Sequence, residues 1–173
     1  MSRYHRTRGA DGERQAVAAL AAIGITARRS ASMQAGRQSH GFKVPDLVCE
    51  GPAAHLWIEV KRTDSPSAIW QGLQQAGEGV QREGETRTTP VVMYRADRRP
   101  WLAVVPVSYA APCRATLAPT AVASAPDACR AVWGGDPCAV VRRADLPAVY
   151  VAQLHHFRDL VGLPPLDTAP AAT

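Results

Sequence analysis

The sequence predicts an α/β domain, a mixed β-sheet flanked by helices. Three observations lead there. Two segments in the first half carry apolar residues at three- and four-residue spacing. Four short apolar runs, bounded by Gly, Pro, Asp and Ser, alternate with them. The chain has 173 residues, 46% of them hydrophobic, which is enough for a core in one ordinary domain.

The elements follow in order. Residues 1–10 read as a flexible basic arm. Residues 12–23 read as a helix with Ala16, Val17, Leu20 and Ile23 on its inner stripe. Asp11 is placed as its N-cap, and Gly24 sits where a glycine ends a helix. A short strand is expected at 25–29, then a polar loop over 30–43. Residues 46–50 and 55–61 are two strands joined by a turn that opens Gly51-Pro52. Residues 67–82 form a second helix with Ile69, Leu73, Ala76 and Val80 inward. Residues 90–95 and 101–107 are two more strands, linked by the polar turn Ala96–Pro100. The core thus spans 11–107. From 108 to 143 periodicity is poor. A helix is expected at 146–161, with Asp145 as N-cap and Pro147 in its first turn. Residues 108–162 are read as a C-terminal extension and 163–173 as a disordered tail.

Charge is unevenly placed. The net charge is +5. Residues 1–43 hold eight of the 20 basic groups but only two of the 15 acidic ones. A basic leading segment points to a polyanion, most often nucleic acid, and a solvated tail is the plain alternative. There are 18 Arg and only two Lys, Lys43 and Lys61. Arg abundance is therefore weak evidence for phosphate binding, and Lys61 stands out, because Lys can lose its proton and Arg cannot. No apolar run is long enough to span a membrane, and the polar N-terminus lacks a signal-peptide stretch, so the cytoplasm is the expected compartment.

Cys49, Cys113, Cys129 and Cys138 form no close-spaced metal pattern. Zinc held by the last three with His155 and His156 is the lesser alternative to buried or surface thiols.

The chemistry concentrates in Val44–Arg62. Asp46 opens one strand. Glu59 and Lys61 lie two apart on the next and share a face, with Ile58 and Val60 opposite. The short turn brings Asp46 close to Glu59. Two carboxylates at that distance repel unless a cation sits between them, and a hard dication such as Mg²⁺ suits oxygen ligands. Such an ion polarises a phosphate and acidifies a bound water, with Lys61 beside it. This is equipment for hydrolysing a phosphodiester. A surface salt-bridge cluster is the alternative. Glu13 lies on the inner stripe of the first helix. It reads either as an outer-sphere or second-metal ligand or as a first-turn Glu favoured by the helix dipole.

Pro45-Asp46, twelve intervening residues and Glu59-Val60-Lys61 resemble the PD-(D/E)XK nuclease superfamily. The fold implied is a restriction-endonuclease-like mixed sheet. Within the superfamily, residues 8–107 are most similar to small Holliday-junction-resolvase-like endonucleases of archaea, bacteria and phages. Gly12-Glu13-Arg14, the Ser/Gly loop, Ile69-Trp70-Gln71 and Leu73-Gln74-Gln75-Ala76 carry that likeness, the last two toward the phage type.

The resemblance implies that Asp46, Glu59 and the Val60 carbonyl bind Mg²⁺ or Mn²⁺. It implies that Lys61 serves the attacking water and that Glu13 acts through water or on a second ion. A loop serine also matters in such enzymes, and Ser30 and Ser32 both stand near that place. Gln71 or Gln75 would support Lys61. Arg28, Arg29, Ser32, Arg37 and Lys43 would line the path of DNA. The function implied is a Mg²⁺-dependent endonuclease acting on branched DNA as a homodimer, bacterial or phage-encoded. Another nuclease of the superfamily, or a non-catalytic nucleic-acid-binding module for recombination, are the alternatives.

Overall fold

Helix α1 (Arg3–Ala22) begins within the segment expected to be a flexible arm. Nothing between Arg3 and Ala10 breaks a helix except Gly9, which a helix tolerates. Asp11 is consequently inside α1 and not its cap, and it pairs with Arg14 one turn on. Gly24, at φ 70°, ends the helix as expected. Its N–H reaches the Ala21 carbonyl at 2.9 Å and the Ile25 N–H reaches Leu20 at 3.0 Å, the Schellman pattern.

The computed structural model describes residues 3–30, 44–83, 88–110 and 118–164, with side chains omitted at 3–8, 82–83 and 143. Most of the 30–43 loop and residues 165–173 lie outside that set.

After α1 come β1 (Ala27–Arg29), β2 (Leu47–Cys49) and β3 (Leu56–Arg62), each antiparallel to the next. Helix α2 (Ala68–Glu83) crosses over to β4 (Thr89–Arg95), which pairs parallel to β3. Strand β5 (Leu102–Pro106) returns antiparallel to β4. To this point the expected elements stand, with ends shifted by one or two residues except at α1, which starts nine residues earlier than expected.

The C-terminal part departs from expectation. Residues 146–153 are a strand, β8 (Leu146–Gln153), and not the start of a helix. Helical structure there shrinks to a 3₁₀ turn at Leu154–His156 and the short α4 (Phe157–Leu160). Both faces of the Val149–Ala152 run are buried, so its apolar residues fit a strand and a helix equally well. Pairing along all of β5 decides for the strand, and β-branched Val149 and Val151 suit it. Pro147 sits near the strand's start, where it is tolerated. Asp145 lies in the tight turn that precedes it and caps no helix.

The region of weak signal holds β6 (Thr120–Val122), α3 (Ala125–Trp133) and β7 (Cys138–Arg143). Ser124 caps α3, accepting from the Asp127 N–H, and Pro126 occupies the first turn. All eight strands join one sheet in the order β1-β2-β3-β4-β5-β8-β7-β6. The C-terminal strands thus continue the sheet past β5.

The sheet is covered on both faces, as parallel pairing with crossover helices requires. Ala16, Leu20 and Ile25 of the α1 region, with Phe157, pack on Leu47, Ile58, Val91, Met93, Ala103 and Val105. Ile69 of α2 and Ala128, Cys129 and Val132 of α3 pack on Val92, Tyr94, Leu102, Val104 and Val151. Arg158 joins the two halves of the chain: its Nη1 donates to the carbonyls of Ile23 at 3.2 Å and Gly24 at 3.1 Å. A cation there also meets the negative end of α1. Among the described residues no helix is long and apolar enough to cross a membrane.

Candidate active site

Alternation along β3 sets up the site. Val60 faces α1, where a Cβ added at Gly12 would lie 3.7 Å from its methyl group. Trp57 and Lys61 face α2, whose Gly79 and Gly72 positions lie against them. Glu59, between Trp57 and Lys61, shares their face. The paired register is Leu47–Ile58 and Val48–Trp57, and Asp46, the residue just before it, bonds to Ile58 and Val60 on either side of Glu59.

Asp46 is where β2 leaves the ladder. Its N–H still reaches the Ile58 carbonyl at 3.0 Å, but its own carbonyl accepts from Ser30 N–H at 3.0 Å. The side chain then takes over the pairing to β3: Oδ2 accepts from the Val60 N–H at 2.8 Å. The Val60 carbonyl projects from the same side of β3 as its N–H, toward the place where β2 has stopped.

Glu59 is 5% exposed, a carboxylate almost wholly within the fold. Trp57 Nε1 donates to its Oε1 at 3.2 Å. Trp57 is fixed in turn by Ala76 and Val80 and by the absence of a side chain at Gly79. Lys61 donates from Nζ to Gln75 Oε1 on α2. An open cleft of about 410 Å³ borders Val60, Lys61 and Arg62, and Gly9, Gly12, Thr63, Ala68 and Gln71 complete it.

The other expected residues divide. Glu13 faces Arg29, with Oε2 2.7 Å from Nε, and both are largely covered. Among the described residues no group of three or more acidic, His or Cys side chains gathers as a metal cluster, so Glu13 does not close one with Asp46 and Glu59. Arg28 lies 3.5 Å from Glu50. Gln75 reaches Lys61, whereas Gln71 stays exposed on the rim of the cleft. Ser32, Arg37 and Lys43 lie outside the described residues. Ser30 is fully buried, and its Oγ has no hydrogen-bond partner among the described residues.

Sequence reasoning misses Trp57 as a partner of Glu59. An aromatic two residues before a strand carboxylate is the available signal, since both share a face. Cys129 and Cys138 pack into apolar clusters on opposite faces of the sheet, which leaves them no common ligand position.

A family model described as archaeal Holliday junction resolvase (Hjc) matches residues 4–108. The chain belongs to the Hjc family. Hjc-type resolvases are structure-specific nucleases, so the carboxylate pair stands on a nuclease scaffold. The match ends just past β5, and the strands β6, β7 and β8 lie beyond it. Among solved structures, the chain is similar to Archaeoglobus fulgidus Hjc, a Holliday junction resolvase from an archaeal hyperthermophile. Identity is 24% over 60% of this chain and 76% of that one, with a TM-score of 0.40. None of the curated proteins matches the chain.

Proposed function

We propose that the chain is a divalent-metal-dependent endonuclease that hydrolyses phosphodiester bonds in branched DNA, working as a homodimer. The observation that carries this is the hydrogen bond from the Val60 N–H to Asp46 Oδ2 at 2.8 Å. It holds one carboxylate against the strand position flanked by Glu59 and Lys61. The donors suit a hard cation: two carboxylates and the Val60 carbonyl, all oxygen.

In this reading Asp46, Glu59 and the Val60 carbonyl hold Mg²⁺, or Mn²⁺ in its place. The ion, when bound, polarises the scissile phosphate and lowers the pKa of its water. Lys61, steered by Gln75, orients the attacking water and offsets charge that develops on the phosphate. Asp46 also locks the β2–β3 junction through Val60, so the metal-binding face and the strand register are fixed together. Trp57 holds the Glu59 carboxylate in its buried place. Glu13 enters as the group that fixes Arg29, and Arg28, Arg29, Arg37 and Lys43 as neighbours of the DNA backbone. Ser30, next to Asp46, takes the place of the loop serine. Two symmetric cuts across a four-way junction need two sites related by a two-fold axis, which is the reason for a dimer.

The test is incubation of purified protein with labelled four-way junction, linear duplex and single strands, with and without Mg²⁺ or Mn²⁺. Paired, metal-dependent incisions in the junction are expected, with the duplex cut far more slowly. Intact DNA in every lane leaves a nucleic-acid-binding module as the reading that survives.

A further inference from the structure

The turn Ala96–Pro100 joins β4 to β5 beside the candidate site. Parallel pairing matches Lys61 with Tyr94 and Arg62 with Arg95. The turn therefore leaves the sheet at the end where Lys61 lies, one strand over.

The turn and its first flank present three arginines. Arg98 is 95% exposed and holds φ 57°, a left-handed backbone that L side chains other than Asn and Asp rarely adopt. Its nearest carboxylate is its own neighbour Asp97, at 4.0 Å. Arg99 lies over the Trp133 ring at 5.5 Å, and Arg95 over Trp101 at 5.8 Å. A stacked guanidinium keeps its edge for hydrogen bonds to phosphate, which suits Arg99, whereas Arg95 spends Nε and Nη1 on the Arg99 carbonyl and Gln15 Oε1. Arg62 adds a fourth basic group, and Asp64 and Asp97 are the acids among them.

The turn is braced and not free-swinging. Asp97 N–H donates to Asp64 Oδ1 at 2.8 Å, and Arg95 Nε donates to the Arg99 carbonyl at 2.7 Å. Trp133 Nε1 donates to the Pro100 carbonyl at 3.2 Å. Trp133 comes from α3, beyond the residues that match the Hjc family.

We infer that this turn is a second DNA-contact site, in which Arg98 and Arg99 grip backbone phosphates beside the cleavage site and Trp133 positions the turn from the C-terminal half. The location rests on the nuclease reading above. The partner is a phosphodiester backbone: the turn combines exposed guanidinium charge, planar donors and a fixed frame at the sheet end where cleavage is proposed.

Binding to a four-way junction, read by fluorescence anisotropy in EDTA across a salt series, tests it apart from cleavage. Deleting a side chain that neutralises one phosphate should lower the slope of log affinity against log salt by about 0.9. Arg98→Ala should lower it by about that amount, and the double change Arg98→Ala/Arg99→Ala by about twice as much, with affinity down roughly tenfold near physiological salt. Arg142→Ala is the control. Arg142 sits on β7 at the opposite end of the sheet, and its removal should leave the slope alone. Trp133→Phe keeps a ring but drops the N–H, and should weaken binding less than the double arginine change.

A wild-type slope in the double variant overturns the proposal, as does an equal drop in Arg142→Ala. Arg98 is so exposed that its single variant reports even where Trp133→Phe unfolds. Wild-type protein that binds junctions but never cuts them overturns the nuclease reading alone. Wild-type protein that binds no DNA overturns both.

Discussion

The carboxylate of Asp46 substitutes for backbone: its Oδ2 accepts the Val60 N–H at 2.8 Å, just where β2 leaves the ladder. One residue thus closes the strand junction and supplies a metal ligand in the proposed mechanism. The two roles separate by substitution. Asp46→Asn keeps an oxygen for the Val60 N–H and should melt near wild type, while cleavage falls about 100-fold or more. Asp46→Ala leaves that N–H without its acceptor and should cost about 1–3 kcal/mol as well. Thermal melts alongside single-turnover cleavage check both.

Gln75 is a positioning residue for Lys61. Gln75→Ala should slow cleavage about 10–100-fold and change the pH profile of the rate, with little change in melting temperature. Gln75→Glu retains an acceptor oxygen and should recover most of the rate. An unchanged pH profile in Gln75→Ala would count against the assignment.

The Glu13–Arg29 pair links the first helix to the end of β1. A double-mutant cycle with Glu13→Gln and Arg29→Ala should give a coupling of about 1 kcal/mol in denaturant unfolding. Additive effects would show that the contact contributes nothing to stability.

Gly77 and Gly79 make a matched comparison on α2. A Cβ at Gly77 meets nothing within 4 Å, whereas one at Gly79 would overlap the six-membered ring of Trp57 at Cζ2. Gly77→Ala should raise stability by about 0.5–1 kcal/mol. Gly79→Ala should lower it by about 1–3 kcal/mol, because the Trp57 ring must move. It should also slow cleavage, since that ring holds Glu59. Opposite shifts in melting temperature are the expected result.

Burial pushes the thiols of Cys49, Cys129 and Cys138 up from 9.0 to about 12. At pH 8 these groups should resist iodoacetamide in the native state and react after denaturation, which site-resolved mass spectrometry detects. The folded values lie above the unfolded ones. The native state therefore keeps protons that the unfolded chain releases, and stability should decline as pH rises past about 9.

Much of the candidate site is legible in the sequence because it is local. Asp46, Glu59 and Lys61 fall within one hairpin, where a period of two and a short turn fix faces and register. Residues that meet across elements are harder. Arg29 and Glu13 are 16 positions apart, and nothing in their spacing announces the pair. Strands β2 to β5 declare themselves as apolar runs between turn residues, whereas β1 is only Ala27-Arg28-Arg29. In β8 the same kind of run reads as a helix, because burial on both faces erases the period that separates the two. Ser124-Ala125-Pro126-Asp127 does carry a helix-start pattern, a capping serine with an acid three residues on. It stands in an Ala- and Pro-rich stretch with little periodic support.

The way the sheet continues past β5 bears on how this protein can be cut down. The part matching the Hjc family suggests a minimal fragment ending near residue 108. In this chain, such a fragment would strip β8 from β5. Leu102–Pro106 is buried along its whole length, so truncation would bare five apolar residues on an open edge. It would also remove the Arg158 contact that closes the end of α1. Such an edge invites another chain to pair with it, and the expected product is aggregate in place of a smaller nuclease.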